Sequence, residues 1–172
     1  LVPDGRVMEM LSEHTLQGWL QGYTLTGRHG IFPCYEAFLP IVDSMITQYL
    51  KFLMKSQDYK WRKPVPPLNY LLTSTCWRQD HNGFSHQNPG FINVLLSKAT
   101  EEQLVRIYLP ADTNMLLAIT NHALQSTNRV NLIVSDKQLI RQWQTYDEAV
   151  EQCKTGASIW KFASDENPDV VL

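Results

Sequence analysis

The sequence predicts an α/β fold: a doubly wound, mostly parallel sheet with helices on both faces. Short apolar runs suited to buried strands, such as Leu68–Ser74 and Arg129–Ser135, alternate with longer stretches whose apolar residues recur at three- and four-residue steps. Capping residues and breakers stand where those stretches begin and end. Strands that alternate with helices are joined by right-handed crossovers, which cover both faces of a parallel sheet.

In chain order, residues 12–25 read as a helix, with Ser12 as N-cap and Gly27 near its stop. Residues 28–34 pass through a strand. Residues 36–55 form the clearest helix, because Phe38, Ile41, Val42, Met45, Tyr49, Phe52 and Leu53 share one face. Pro64, Pro66 and Pro67 mark residues 57–67 as a connection. A buried strand follows at 68–74. Residues 77–90 are rich in Asp, His, Asn, Gly and Ser and read as a long loop, a length that is uncommon in a compact domain unless the loop has a function. Further elements are a helix at 91–99, a strand at 104–109 ended by Pro110, and a helix capped by Asp112 and running to Gln125. The last are a strand at 129–135, a short helix at 137–143, a helix near 146–154 opened by a Thr145/Glu148 capping box and stopped by Gly156, and a final strand at 157–162.

The 172 residues suffice for one domain, and residues 1–172 are read as one. With 15 basic and 17 acidic residues the net charge is −2, and no basic run suggests a nucleic-acid partner. Apolar stretches break well before the ~18 residues needed to span a bilayer, and no secretory signal is seen. Cys34, Cys76 and Cys153 are odd in number and widely spaced, so they read as free thiols in a reducing compartment, with no zinc pattern. The opening Leu1–Arg6 reads as a linker and Asp165–Asp169 as an exit loop, which suggests a piece of a larger protein.

Three constellations can carry chemistry. Glu13 stands at a helix start, where a carboxylate usually does no more than complement the helix dipole. In the 77–90 loop, His81 and His86 stand five residues apart among Gln79, Asp80 and Asn82, a polar set able to bind phosphate and hydroxyl groups or to move protons near neutral pH. Phe32, Tyr35 and Phe38 recur at three-residue steps and read either as core or as a flat platform for a heteroaromatic ring. Dinucleotide-binding, P-loop and nucleophile-elbow patterns are absent from the sequence.

Several strings resemble the middle portion of phosphoketolases. They are Asp4–His14, Gly27-Arg28-His29-Gly30, Tyr35-Glu36-Ala37-Phe38, Trp61-Arg62-Lys63-Pro64 and, most specifically, Arg78-Gln79-Asp80-His81-Asn82-Gly83-Phe84-Ser85-His86-Gln87. The resemblance implies the pyrimidine-binding domain of an enzyme that uses thiamine diphosphate. A Gly-Asp-Gly motif with a downstream Asn, which in the family binds the diphosphate through Mg2+, is absent here, so the resemblance assigns the metal to another domain and no metal ligand to this chain.

By position, the resemblance implies that Glu13 hydrogen-bonds the aminopyrimidine and activates the cofactor. It implies that Tyr35 stacks on that ring, with Phe32 lining the pocket. His86 and His81 would handle substrate hydroxyl protons. Gln79 and Asn82 would orient substrate or phosphate, and Lys137 would lie near the substrate phosphate, although Asp136 stands where the family often has Gly. The implied enzyme is a cytoplasmic homodimer that cleaves xylulose 5-phosphate, or fructose 6-phosphate, with inorganic phosphate to give acetyl phosphate and an aldose phosphate. The isolated chain is expected to be inactive. Transketolase-type ketol transfer and a non-catalytic α/β module are the alternatives.

Overall fold

A computed structural model describes residues 4–73, 85, 88–98, 103–135, 138–160, 163–167 and 170. Helix α1 (Glu13–Leu25) is followed by strand β1 (Ile31–Cys34), a 3-10 turn (Leu39–Val42), helix α2 (Asp43–Ser56) and strand β2 (Leu68–Leu72). Helix α3 (Gly90–Ser97), strand β3 (Val105–Tyr108), helix α4 (Thr113–Gln125), strand β4 (Val130–Val134) and helix α5 (Tyr146–Thr155) complete the order.

The four strands form one parallel sheet in the order β1-β2-β4-β3. The pleat sends alternate side chains to opposite faces. Leu68, Tyr70 and Leu72 of β2 and Val130, Leu132 and Val134 of β4 join a core with α2, α3 and the inner side of α1. Leu71 and Ile133 point the other way, toward a smaller core built on Met115, Ala118, Ile119 and Ala123 of α4 and Ala149 of α5. Helices therefore cover both faces, and the doubly wound architecture expected from the sequence is the one observed. β4 is buried throughout, as suits a central parallel strand. Pro33 lies on β1, an edge strand, where a missing N–H is tolerated.

Local chemistry sets the element ends. Ser12 caps α1 by accepting from Thr15 N at 3.3 Å, and Asp112 caps α4 by accepting from Met115 N at 2.8 Å. The Thr145/Glu148 capping box opens α5, and Gly156 ends it in the left-handed conformation at φ 81°.

Three expectations are corrected. The helix expected over 36–55 is two elements, because Pro40 enters its first turn and opens a 3-10 turn before α2 begins at Asp43. No helix covers the described part of 137–143. The backbone there is held open by Asp112, whose Oδ2 accepts from Trp143 N at 2.9 Å and Gln144 N at 3.0 Å. Residues 157–160 are not a strand. Trp160 instead sets its ring against Trp143, with centroids 6.0 Å apart, and side-chain packing replaces a backbone ladder.

A buried polar pair ties the two central strands together. Asn131 Nδ2 donates to Asn69 Oδ1 at 2.8 Å, and the two residues are register partners in β4 and β2. Asn69 Nδ2 in turn donates to Gly30 O at 3.1 Å, just before β1.

Candidate functional site

Because all strands are parallel, their carboxyl ends lie along one rim. β2 and β4 are neighbours there, yet their exits diverge: the chain after β2 reaches α3 on the first face, and the chain after β4 reaches α5 on the second. Such a switch point opens a crevice in which ligands of doubly wound sheets bind.

Cys34, Thr73 and Ser135 mark this rim. Thr73 N donates to Cys34 O at 3.0 Å and Ser135 N to Leu72 O at 2.9 Å, which extends the ladder past the strand ends. Thr73 precedes residues 74–87 and Asn88 follows them, and both described neighbours lie at the same corner. Asn88 N donates to Oε2 of Glu36 at 2.9 Å, and Glu36 is wholly buried. A carboxylate taken out of water is stable only with such charge-assisted donors. Both described ends of this segment are thus fastened to the exit of β1.

Glu13 opens α1 and is half-buried. α1 packs against β1 and β2, and the Glu13 charge reaches the thiol of Cys34, the last residue of β1. Burial first, and the Glu13 carboxylate second, push the Cys34 thiol up from 9.0 to about 12. The next residue, Tyr35, is half-buried, and its ring lies 5.9 Å from that of Phe38, tilted by 33°. The fold therefore brings the Glu13 charge within reach of Cys34, the residue that precedes the aromatic pair.

Phe32 occupies a different environment. It is buried in the first-face core, with its ring 5.9 Å from that of Tyr70. Tyr70 donates from its hydroxyl to Gln17 Oε1 at 2.8 Å, and burial raises its own proton affinity. Gln17 lies one turn along α1 from Glu13 and is fully buried, and its Nε2 has no hydrogen-bond partner among the described residues. A buried amide donor without a partner next to a half-buried acid is a polar lining that a heterocycle's ring nitrogens suit.

Gln79, His81, Asn82, His86 and Lys137 lie outside the described residues, as does Cys76. Glu36 and Gln17 were not singled out as site residues by sequence reasoning. A glutamate after an aromatic residue and a glutamine inside a helix both look like solvated positions until the fold buries them.

Comparison with known proteins identifies the lineage. The sequence model described as D-xylulose 5-phosphate/D-fructose 6-phosphate phosphoketolase matches residues 1–126. This chain belongs to the phosphoketolase family. The model of that family's C-terminal domain matches residues 137–172. A probable phosphoketolase of Rhodopseudomonas palustris strain TIE-1 is 60% identical over 173 residues, which cover 100% of this chain and 22% of the relative. A probable phosphoketolase of Nitrosomonas europaea is 57% identical over 175 residues, and probable phosphoketolase 1 of Rhizobium meliloti is 53% identical over 175 residues; each match covers 100% of this chain and 22% of the relative. The chain thus spans about a fifth of the length of these phosphoketolases. No described helix is long and apolar enough to cross a membrane.

Proposed function

We propose that these residues form the pyrimidine-binding part of a thiamine diphosphate site. The whole enzyme would be a cytoplasmic homodimer in which this part faces a diphosphate-binding part, with its Mg2+, in the partner subunit. Its reaction would be cleavage of xylulose 5-phosphate, or of fructose 6-phosphate, with inorganic phosphate, giving acetyl phosphate and an aldose phosphate. The reading is supported by the reach of the Glu13 charge to Cys34, the residue before Tyr35 at the carboxyl end of β1, in a chain of this family.

When bound, thiamine diphosphate supplies a carbon nucleophile and an electron sink for breaking the ketose carbon–carbon bond. Glu13 would hydrogen-bond the pyrimidine ring nitrogen through its carboxyl group. Tyr35, beside Phe38, would stack on the ring, while Phe32 packs against Tyr70 in the core. His81 and His86 take and return substrate hydroxyl protons at their imidazole nitrogens. Gln79 and Asn82 orient the substrate by side-chain hydrogen bonds, and Lys137 binds its phosphate. These roles for the five polar residues rest on the sequence resemblance.

Changing Glu13→Gln in the full-length enzyme tests the reading. The expected outcome is loss of acetyl phosphate release by about 100-fold or more, with an unchanged melting temperature. Near-normal turnover would remove Glu13 from the mechanism. Calorimetry supplies a second measurement: the 172 residues alone are expected to bind thiamine diphosphate weakly and to release no acetyl phosphate.

A further inference from the structure

The opposite flank of the molecule carries a concentration of positive charge that the proposed reaction does not use. Arg106 lies on β3, whose outer edge pairs with no described strand. Its Nη1 is 3.1 Å from Nε2 of His122, in the last turn of α4. Arg129, just before β4, reaches across to the start of β3 and donates from Nη1 to Gln103 O at 2.8 Å. The guanidinium charges of Arg106 and Arg129 act on each other and on His122. No acidic side chain pairs with either arginine among the described residues.

Arg106 and His122 border a cavity of about 910 Å³ between the β3 edge, α4 and α5. Arg106, Tyr108, Asn121, His122 and Gln125 are part of its polar lining. A second observation points to a ligand there. Tyr108 sets its ring edge-on to His122 at 6.2 Å, and its hydroxyl oxygen is buried with no hydrogen-bond partner among the described residues. Lys154, also in the lining, is already paired with Glu151, whereas Arg106 has no acidic partner among the described residues.

We propose that Arg106, Arg129 and His122 form a binding site for a small oxyanion carrying two negative charges, a phosphate monoester or a dicarboxylate. Two neighbouring guanidinium groups repel each other unless an anion lies between them, and each keeps a planar fork of donors suited to paired oxygens. An Nε2 that accepts from Arg106 leaves the His122 proton on Nδ1, which adds a donor. The site lies against α4 and α5, and Arg129 stands before β4, at the opposite end of that strand from the rim where Glu13 and Tyr35 meet. β1 and β3 are the opposite edges of the described sheet, so this ligand is separate from the sugar phosphate of the proposed reaction.

Equilibrium dialysis of labelled sulfate, a dianion probe, against the full-length protein tests this at low ionic strength. One sulfate per chain is expected to be lost, or weakened at least tenfold, in Arg106→Gln/Arg129→Gln, and retained in Glu13→Gln. The retention separates this inference from the catalytic reading, whose failure would show only in turnover. Methyl phosphate and malonate as competitors distinguish a phosphoryl from a dicarboxylate ligand, and displacement by neither would overturn the proposal. Unchanged sulfate binding by the double variant, at an unchanged melting temperature, would also overturn it. A crystal of the full-length protein soaked in selenate needs no variant: an anomalous peak at the two guanidinium groups is expected, and acidic side chains already covering them would sink the idea.

Discussion

The backbone N–H of Asn88 donates to the wholly buried carboxylate of Glu36 across 2.9 Å. This bond joins the far end of the 74–87 segment to the residue after Tyr35. Glu36→Ala is expected to strand that donor and to lower stability by about 1–3 kcal/mol. It should also lower acetyl phosphate release more than the stability loss explains, while Glu36→Gln, which keeps an acceptor oxygen, restores part of both. Chemical denaturation and steady-state assays on one set of samples check this. A stable Glu36→Ala enzyme with full turnover would reduce the bond to ordinary packing.

Cys34 gives a pH test of the corner's geometry. Its thiol titrates near 12 in the folded chain against an ordinary 9.0, so folding favours the protonated form. That contribution is fully present below pH 9 and is lost as pH climbs from 9 toward 12, because the unfolded chain ionises first. The parent protein should therefore lose melting temperature more steeply than Cys34→Ala over that window. Parallel curves would contradict the burial.

The same thiol reports on Glu13. Removing the acid's charge in Glu13→Gln lowers the energy of the nearby thiolate. Alkylation of Cys34 at pH 9–10, followed by mass spectrometry, is expected to quicken in this variant. An unchanged rate would place the carboxyl too far from β1 for the proposed site.

Asp112 is expected to be the costliest polar residue to lose on the second face. One oxygen caps α4 and the other holds Trp143 N and Gln144 N. Asp112→Ala should destabilise by roughly 2–4 kcal/mol, from a lost cap and two stranded donors. A thermal melt within a degree of the parent would contradict this.

Gly156→Ala forces a β-carbon into a left-handed turn at φ 81°. The expected cost is about 1 kcal/mol, measured by denaturation, with no change in catalysis.

Much of this architecture was legible because it is local. Ser12, Asp112, Thr145 and Gly156 announce helix ends through contacts three or four residues away, and periodicity exposes the buried faces. Pro40 was an equally local signal, yet the strong apolar stripe around it hid the break. What stayed hidden depends on distant partners. The sheet order needs Asn69 to meet Asn131, and the irregular 138–144 path needs Asp112 to reach Trp143. At the proposed site, Glu13 and Tyr35 were named through resemblance alone, since a carboxylate in a first helical turn carries no mark of its burial. Glu36 was passed over for the same reason.

The position of β4 between β2 and β3 governs assembly during synthesis. β3 leaves the ribosome before the strand that will join it to β2, so in a nascent chain halted short of Val130 the described β3 has no described neighbour. Between the translation of Tyr108 and of Val134 its edges stay open to mispairing.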